Sequence, residues 1–177
     1  ANAHYNLGSA YTELKEFNKA MPCYQQAIQI QPAHVEAYNN LGNVFKELRK
    51  FKKAMNCYKK AIQIQPNFIK AQNNLGNIFK ELGNFSQAMN SYKKVIQVQS
   101  NHVNAHYNLA ILFKVLGDFQ KTINSYQKVL KYEPENLIAL YELSNLKKEI
   151  LNLNVKSKIN KILNNHNCNE ENRAYGN

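Results

Sequence analysis

Long hydrophobic runs are missing from this 177-residue sequence. No stretch approaches the ~18 uninterrupted apolar residues that a membrane helix needs, and no charged-then-apolar leader opens the chain. We therefore expect no insertion into a membrane. Cysteine is also scarce, because the sequence has only Cys23, Cys57 and Cys168. Three cysteines cannot all pair, and their spacing matches neither a disulfide framework nor a zinc site, which favours the reducing cytoplasm, or the nucleus.

Motifs that carry out catalysis are missing as well. No HExxH motif occurs, and we expect the histidines to pack or to lie on the surface. No glycine-rich phosphate loop and no nucleophile elbow occurs. The sequence therefore predicts a protein that is not an enzyme, with no metal and no cofactor.

Acidic residues are few compared with basic ones. The sequence has 12 Asp and Glu against 23 Lys and Arg, a net charge of +11. Such an excess favours acidic partners, whether protein, nucleic acid or lipid surface. Nucleic acid is disfavoured because no nucleic-acid-binding motif is present, and the densest basic block is better interpreted as a solvated helix face. That block consists of Lys50, Lys52, Lys53, Lys59 and Lys60.

What the sequence does contain is a repeat. The segment AHYNLGSAYTELKEF at Ala3 reappears as AYNNLGNVFKELRKF at Ala37, AQNNLGNIFKELGNF at Ala71 and AHYNLAILFKVLGDF at Ala105. These starting positions are equally spaced, and the second half of each copy repeats with the same period. A sequence period of a few tens of residues indicates one supersecondary unit that is stacked several times.

Both halves of the repeat have helical periodicity. In the second copy, apolar or small residues recur at i, i+4, i+5, i+8 and i+11 from Ala37, and a second stripe runs from Phe51 to Ile62. Each repeat is therefore a helical hairpin. Gly83 and Gly117 follow the first helix, where a left-handed residue is expected. The earlier copies have Lys15 and Arg49 there, which should each cost roughly 1 kcal/mol against glycine.

The small residues of the repeat identify a family. Gly8, Ala20, Ala27 and Pro32 recur one period later as Gly42, Ala54, Ala61 and Pro66, and less strictly in the next two copies. This pattern resembles the tetratricopeptide repeat (TPR). The resemblance implies an all-α fold, a right-handed α-solenoid of helical hairpins. The predicted repeats are residues 1–34, 35–68, 69–102 and 103–136, followed by a degenerate repeat or capping helix pair at 137–166 and a frayed tail at 167–177.

The predicted cap continues the pattern in weakened form. The first-helix stripe continues at Ala139, Leu140, Leu143, Leu146 and Ile150. A second stripe consists of Val155, Ile159, Ile162 and Leu163. A terminal repeat needs one polar outer face, which suits this segment. At the other end, Ala1 begins directly at the first position of a repeat, so we expect a piece of a larger chain, or of a multiprotein complex.

The resemblance implies that the first helices line a concave surface that binds a partner. Asn6, Asn40, Asn74 and Asn108 recur there at every repeat. Because an Asn amide both donates and accepts, such a row can pair with the backbone of an extended segment. The alternative is that these asparagines reflect composition or local helix packing. The lysines that recur near the helix ends either grip acidic ligand side chains or are solvated. The predicted peptide-binding residues are Asn6, Asn40, Asn43, Asn74, Asn77, Asn108, Lys46, Lys80 and Lys114.

These observations predict a non-catalytic scaffold that binds an extended or helical segment of a protein partner, with a preference for acidic segments. The strings NLGNVFKEL and NLGNIFKEL also resemble the superhelical repeats of O-linked N-acetylglucosamine transferase. The alternative is therefore a substrate-recruiting arm of a larger glycosyltransferase-like enzyme. A chaperone-type clamp for a terminal carboxylate is disfavoured, because Tyr5, Ser9 and Asn39 stand where that clamp needs other residues.

Overall fold

The computed structural model of the protein describes residues 1–148 together with residues 150, 157 and 161. Within this part, the chain folds into antiparallel helical hairpins, and no strand occurs. The predicted all-α solenoid is confirmed. The helices are α1 (Asn2–Glu13), α2 (Phe17–Ile30), α3 (Val35–Glu47), α4 (Phe51–Ile64), α5 (Ile69–Glu81), α6 (Phe85–Val98), α7 (Val103–Val115) and α8 (Phe119–Tyr132), and residues 137–148 are also helical.

The turn inside each hairpin has a left-handed residue, as the sequence predicts. Lys15 and Arg49 have φ values of 59° and 58°, and Gly83 and Gly117 both have a φ of 74°. In the first hairpin, the backbone N–H of the residue after Lys15 donates to the carbonyl of Tyr11 at 2.8 Å, and the other three hairpins repeat this bond. The bond satisfies a carbonyl group that the helix end would otherwise leave unpaired.

Side chains also cap three helices that follow turns between repeats, whereas α5 begins after Phe68 without a side-chain cap. His34 Nδ1 accepts the N–H of Ala37 at 3.4 Å, and His102 Nδ1 accepts the N–H of Ala105 at 3.1 Å. At the equivalent place before residues 137–148, Asn136 Oδ1 accepts the N–H of Ala139 at 3.0 Å. Two of the histidines therefore have a structural role at helix N-termini, where an acceptor is needed.

A row of tyrosines forms the centre of the hairpins. Tyr24, Tyr58, Tyr92 and Tyr126 are each at most 1% exposed. The first three rings lie against glycines on the partner helix, and a Cβ atom at Gly42 would come within 2.5 Å of the Tyr58 ring. This close approach explains the glycine in the repeat. Leu41, which the pattern also places in the core, is 5% exposed.

The hairpins stack so that the helices form two layers. Each even-numbered helix packs on the odd-numbered helix before it, and α2, α4 and α6 also pack on the one after. In the other layer, α1 contacts α3 and α3 contacts α5. The outer surface of α1, α3, α5 and α7 is called the odd-helix face below. The outer surface of α2, α4, α6 and α8 is called the even-helix face.

The predicted cap is described in part. Of the predicted first-helix stripe, Ala139 and Leu146 are buried and Leu143 is half-buried, but Leu140 is 45% exposed, so its inclusion in the stripe was wrong. The second stripe (Val155, Ile159, Ile162 and Leu163), the tail at 167–177 and Cys168 lie outside the described residues. None of the helices that the structure describes is long and apolar enough to cross a membrane.

Candidate functional site

The residues predicted to bind a peptide all lie on the odd-numbered helices. Their exposure differs along the chain. Asn6 is exposed, Asn40, Asn43, Asn74 and Asn77 are half-buried, and Asn108 is 9% exposed. Most of these amides lie close enough to hydrogen-bond from one repeat to the next.

One network of hydrogen bonds joins the first three repeats. Asn74 Nδ2 donates to Asn43 Oδ1 at 3.0 Å and to Asn39 Oδ1 at 3.1 Å. Asn39 Nδ2 donates to Asn40 Oδ1 at 3.1 Å, and Asn40 Nδ2 donates to the Tyr5 hydroxyl at 3.2 Å. The network therefore runs along the odd-helix face from α5 to α1.

A second network joins the third and fourth repeats. Asn108 Nδ2 donates to Asn77 Oδ1 at 3.2 Å, and Lys80 Nζ donates to Asn108 Oδ1 at 2.7 Å. Burial lowers the pKa of Lys80, and the adjacent Glu81 opposes that effect. Because the ammonium group is half-buried, the amide oxygen compensates part of the hydration that it loses.

The buried tyrosines connect both networks to the core. The Tyr58 hydroxyl donates to Asn43 Oδ1 at 2.8 Å, and the Tyr92 hydroxyl donates to Asn77 Oδ1 at 2.8 Å. Burial raises the pKa of both phenols, so they stay protonated donors. In the first repeat Ser9 replaces the asparagine, and its Oγ accepts the Tyr24 hydroxyl at 3.3 Å.

Sequence reasoning offered local helix packing only as an alternative and did not predict these individual hydrogen bonds. The packing interpretation of the asparagines is observed for Asn40, Asn74 and Asn108, and contact with a ligand stays a prediction. The hydrogen bonds from the buried tyrosines could have been predicted from the sequence. Asn43 precedes Tyr58 by the same number of residues as Asn77 precedes Tyr92. The role of Asn39 had no such signal, since the first and fourth copies have Tyr at its equivalent position.

The networks leave part of the hydrogen-bonding capacity unused. An Asn amide offers two N–H donors and one carbonyl acceptor. Asn6 makes no hydrogen bond within the described residues, and Asn74 Oδ1 accepts none there. Asn40 and Asn108 each use one of their two N–H groups. Asn73 Oδ1 is buried without a partner in the described part. The row can therefore still donate to, and accept from, a bound chain.

The three predicted lysines also have intramolecular partners. Lys46 Nζ lies 3.0 Å from Glu47 Oε1, and Lys114 Nζ lies 2.6 Å from Glu142 Oε2. Lys80 is held by Asn108, as described above. Each lysine would have to exchange part of these contacts in order to bind an acidic ligand.

A shallow cleft opens on the odd-helix face between α1 and α3. The cleft contains hydroxyl, carboxylate and amide groups side by side, and Thr12 Oγ1 lies 3.0 Å from the Tyr24 hydroxyl. A peptide unit contains both a donor and an acceptor, and this cleft offers partners for both. Its lining residues are Ser9, Thr12, Glu13, Tyr24, Asn40 and Asn43.

The two cysteines that the structure describes lie away from this face. Cys23 and Cys57 are half-buried on α2 and α4. Burial raises the pKa of the Cys57 thiol to about 11, so the thiol is protonated at neutral pH and is a poor nucleophile. This thiol has the character of a packing group.

Three family models match the chain. A model described as tetratricopeptide repeat matches residues 35–68 and 103–136, and another with the same description matches residues 57–90. A model described as TPR repeat matches residues 8–49 and 76–117. The chain belongs to the tetratricopeptide-repeat family. TPR domains are generally non-catalytic modules that bind other proteins.

Solved structures share the fold of the chain. A crystal structure of MamA protein is 20% identical, with a TM-score of 0.72, and the match covers 85% of this chain and 86% of that one. Another MamA crystal structure is 21% identical, with a TM-score of 0.70 and coverages of 87% and 96%. The thermophilic TPR protein TTC0263 of Thermus thermophilus is 19% identical, with a TM-score of 0.69 and coverages of 81% and 79%. Among curated proteins, none matches the chain by sequence.

Proposed function

We propose that this TPR protein is a non-catalytic scaffold that holds an extended or helical segment of a partner protein on its odd-helix face. The observation that carries the proposal is the row of amides whose hydrogen-bonding groups remain partly unused in the described structure. Asn6 has a whole amide available, and Asn74 has its carbonyl oxygen. These groups match the donors and acceptors of a peptide backbone.

The spacing of the row suits an extended chain. Packed helices of successive repeats lie about 10 Å apart, and an extended chain rises about 3.3 Å per residue. One amide would therefore meet every third ligand residue. Backbone recognition of this kind is independent of the ligand's side chains, so one surface can accept different sequences.

A preference for acidic partners would come from a few local contacts. The odd-numbered helices contain four lysines (Lys46, Lys70, Lys80 and Lys114) and four glutamates (Glu13, Glu36, Glu47 and Glu81). Because these charges balance, we propose that Lys46 and Lys80 select individual carboxylates, while the hydrogen bonds supply most of the affinity.

The test begins with partners that the full chain captures from its source cell, identified by mass spectrometry and then produced as peptides. Asn6→Ala should weaken binding of such a peptide by ~0.5–1.5 kcal/mol, the usual net value of a neutral hydrogen bond. The thermal melt should not change, because Asn6 is exposed and has no partner in the described structure. Asn74→Ala should weaken binding and lower the melting temperature, because it also breaks two bonds between repeats.

The matched control is Asn56→Ala, which removes an exposed amide from α4 on the even-helix face. It should change neither binding nor melting. Equal affinity of wild type and Asn6→Ala for every captured peptide, with Asn74→Ala affecting only the melt, would contradict the proposal. The asparagines would then be packing groups alone.

A second candidate function is recruitment of substrates to a larger glycosyltransferase-like enzyme. The asparagine row on the odd-numbered helices favours it, because the same row resembles the repeats of that enzyme class. Sequencing the transcript that encodes this chain would decide between the two functions. A glycosyltransferase domain after the repeats would support the recruiting arm, and its absence would leave the scaffold.

A further inference from the structure

The positive charge of the chain is concentrated on one layer of helices. The four even-numbered helices contain no Asp and no Glu, whereas the odd-numbered helices are balanced. The layer contains ten lysines, namely Lys19, Lys52, Lys53, Lys59, Lys60, Lys93, Lys94, Lys121, Lys128 and Lys131. Half of them form no ion pair, hydrogen bond or ring contact within the described residues, and these are Lys52, Lys59, Lys93, Lys94 and Lys128.

A groove runs along this face between α4 and α6. It has two contiguous parts, which share Ile62, Gln72 and Lys94 as lining residues. Leu75 and Phe79 of α5 line one part, and Pro66 and the 52%-exposed Val98 line the other. Lys59 and Lys94 are exposed on the two helices that form its walls. The groove therefore combines apolar surface with positive charge on both sides.

One residue in the groove distinguishes this repeat from its neighbours. Gln72 stands where the repeats before and after have Tyr38 and His106. The Tyr38 ring packs against the core, and the His106 ring stacks on Tyr132 while its Nε2 donates to the Ser100 carbonyl at 2.9 Å. Gln72 has no ring, and its side-chain amide makes no hydrogen bond within the described residues. The amide thus lines the groove as an unpaired donor and acceptor.

We propose that this groove is a second protein-binding site, and that its occupant is a short segment of another protein in which Asp or Glu flanks apolar residues. The apolar side chains would cover Pro66, Val98 and the half-buried Ile62, and the carboxylates would lie beside Lys59 and Lys94. The Gln72 amide would pair with one peptide unit of the segment.

The shape and lining of the groove favour a protein segment over other polyanions. A flat anionic membrane would meet the exposed lysines but could not follow the recess between α4 and α6 to Gln72, which is 9% exposed. Nucleic acid would also pair with the lysines, but its phosphates would leave the apolar surface uncovered. Charge complementarity and apolar burial are satisfied together only by an amphipathic acidic segment.

The test uses a phage-displayed library of 12-residue peptides selected on the whole chain. Selection on wild type, with removal of peptides that bind Gln72→Tyr, should enrich sequences with acidic residues next to apolar ones. Gln72→Tyr fills the groove with the residue that the preceding repeat has naturally, so it preserves all charges. A synthetic peptide from the enriched set should bind this variant at least ~10-fold more weakly than wild type.

A charge variant keeps the test decisive if Gln72→Tyr fails to fold, as judged by circular dichroism. The double variant Lys59→Gln/Lys94→Gln should weaken binding several-fold at 50 mM salt. The matched control Lys52→Gln/Lys128→Gln removes two charges from the same face outside the groove. It should weaken binding by less than half of the fold-change that the groove variant shows. The proposal is overturned if no peptide is enriched, or if the enriched peptides are basic or neutral. It is also overturned if both double variants respond alike, or if a 12-nucleotide poly-dT strand binds in a Gln72-dependent manner.

This outcome is independent of the proposed function of the odd-helix face. The groove variants leave Asn6 and Asn74 intact, and Asn6→Ala leaves the groove intact. Failure at either face is therefore recognisable by itself.

Discussion

At the residue scale, single positions in the repeat are fixed by close approach or by backbone conformation. Gly42 is glycine because the Tyr58 ring occupies the space of a Cβ atom, which would come within 2.5 Å. The fourth repeat has Ala110 at the equivalent place, and there the side chain packs in one buried cluster with Tyr126. Both kinds of constraint are visible in the sequence because each recurs with the period of the repeat.

The left-handed residues give a prediction about stability. Lys15 has a φ of 59° and makes no hydrogen bond or ion pair through its side chain in the described structure. Because an L-residue is strained in this conformation, Lys15→Gly should raise the free energy of unfolding by about 1 kcal/mol. Urea denaturation monitored by circular dichroism measures the change. Lys15→Ala removes the same charge but keeps the strain, and an equal gain in that control would refute the explanation.

At the element scale, side-chain acceptors cap the N-termini of α3, α7, α8 and the helical residues 137–148. His102 and Asn136 perform the same capping task one repeat apart, with acceptor distances of 3.1 and 3.0 Å. A protonated imidazole cannot accept a hydrogen bond, whereas an asparagine can do so at any pH. Protonation of His102 therefore removes its cap.

Burial of His102 determines how pH affects the stability that its cap contributes. Burial lowers the pKa of His102, and the neighbouring His106 lowers it further, while a backbone hydrogen bond acts in the opposite sense. The unfolded chain therefore binds more protons than the folded chain below about pH 6.5. The stabilising contribution of His102 is present above that pH and is lost as the pH falls.

We predict that His102→Asn reduces the loss of stability on acidification. At pH 7.5 the variant should unfold within ~0.5 kcal/mol of wild type, because asparagine is also a good cap. At pH 5.5 it should be the more stable of the two, since it has no proton to gain. Thermal melts at both pH values measure this difference. His102→Ala should be destabilised by about 1 kcal/mol at pH 7.5 through loss of the cap, and identical pH dependence of wild type and His102→Asn would contradict the prediction.

At the scale of the whole molecule, the two faces differ in how they can bind. The odd-helix face has balanced charges and a row of amides, whereas the even-numbered helices have ten lysines and no acidic residue. Hydrogen bonds to the amides of the odd-helix face are weakly affected by salt. Exposed charges on the even-helix face are instead screened over ~8–10 Å at physiological ionic strength. One protein thus offers two surfaces with different physical selectivity.

Salt dependence should separate the two surfaces. Between 50 and 300 mM salt, the affinity of a peptide selected on the α4–α6 groove should fall about 5-fold or more. The affinity of a partner peptide bound by the odd-helix face should fall less than about 2-fold. Fluorescence anisotropy titrations with both peptides measure the two slopes. Equal slopes would show that the charge segregation does not control binding.

The sequence by itself determined the repeat, the helical hairpins, the left-handed turn residues and the buried Leu41 and Tyr58. These features follow from local periodicity and local backbone geometry, which recur with every copy. Only the tertiary structure decided where the asparagine amides go, because Asn74 bonds to Asn39 and Asn43 of the preceding repeat. It also decided that the ten lysines of the even-numbered helices share one layer and that Gln72 lines a groove between α4 and α6. Such contacts depend on how neighbouring hairpins stack. The sequence pattern inside one repeat does not specify how far apart, or at what angle, two hairpins pack.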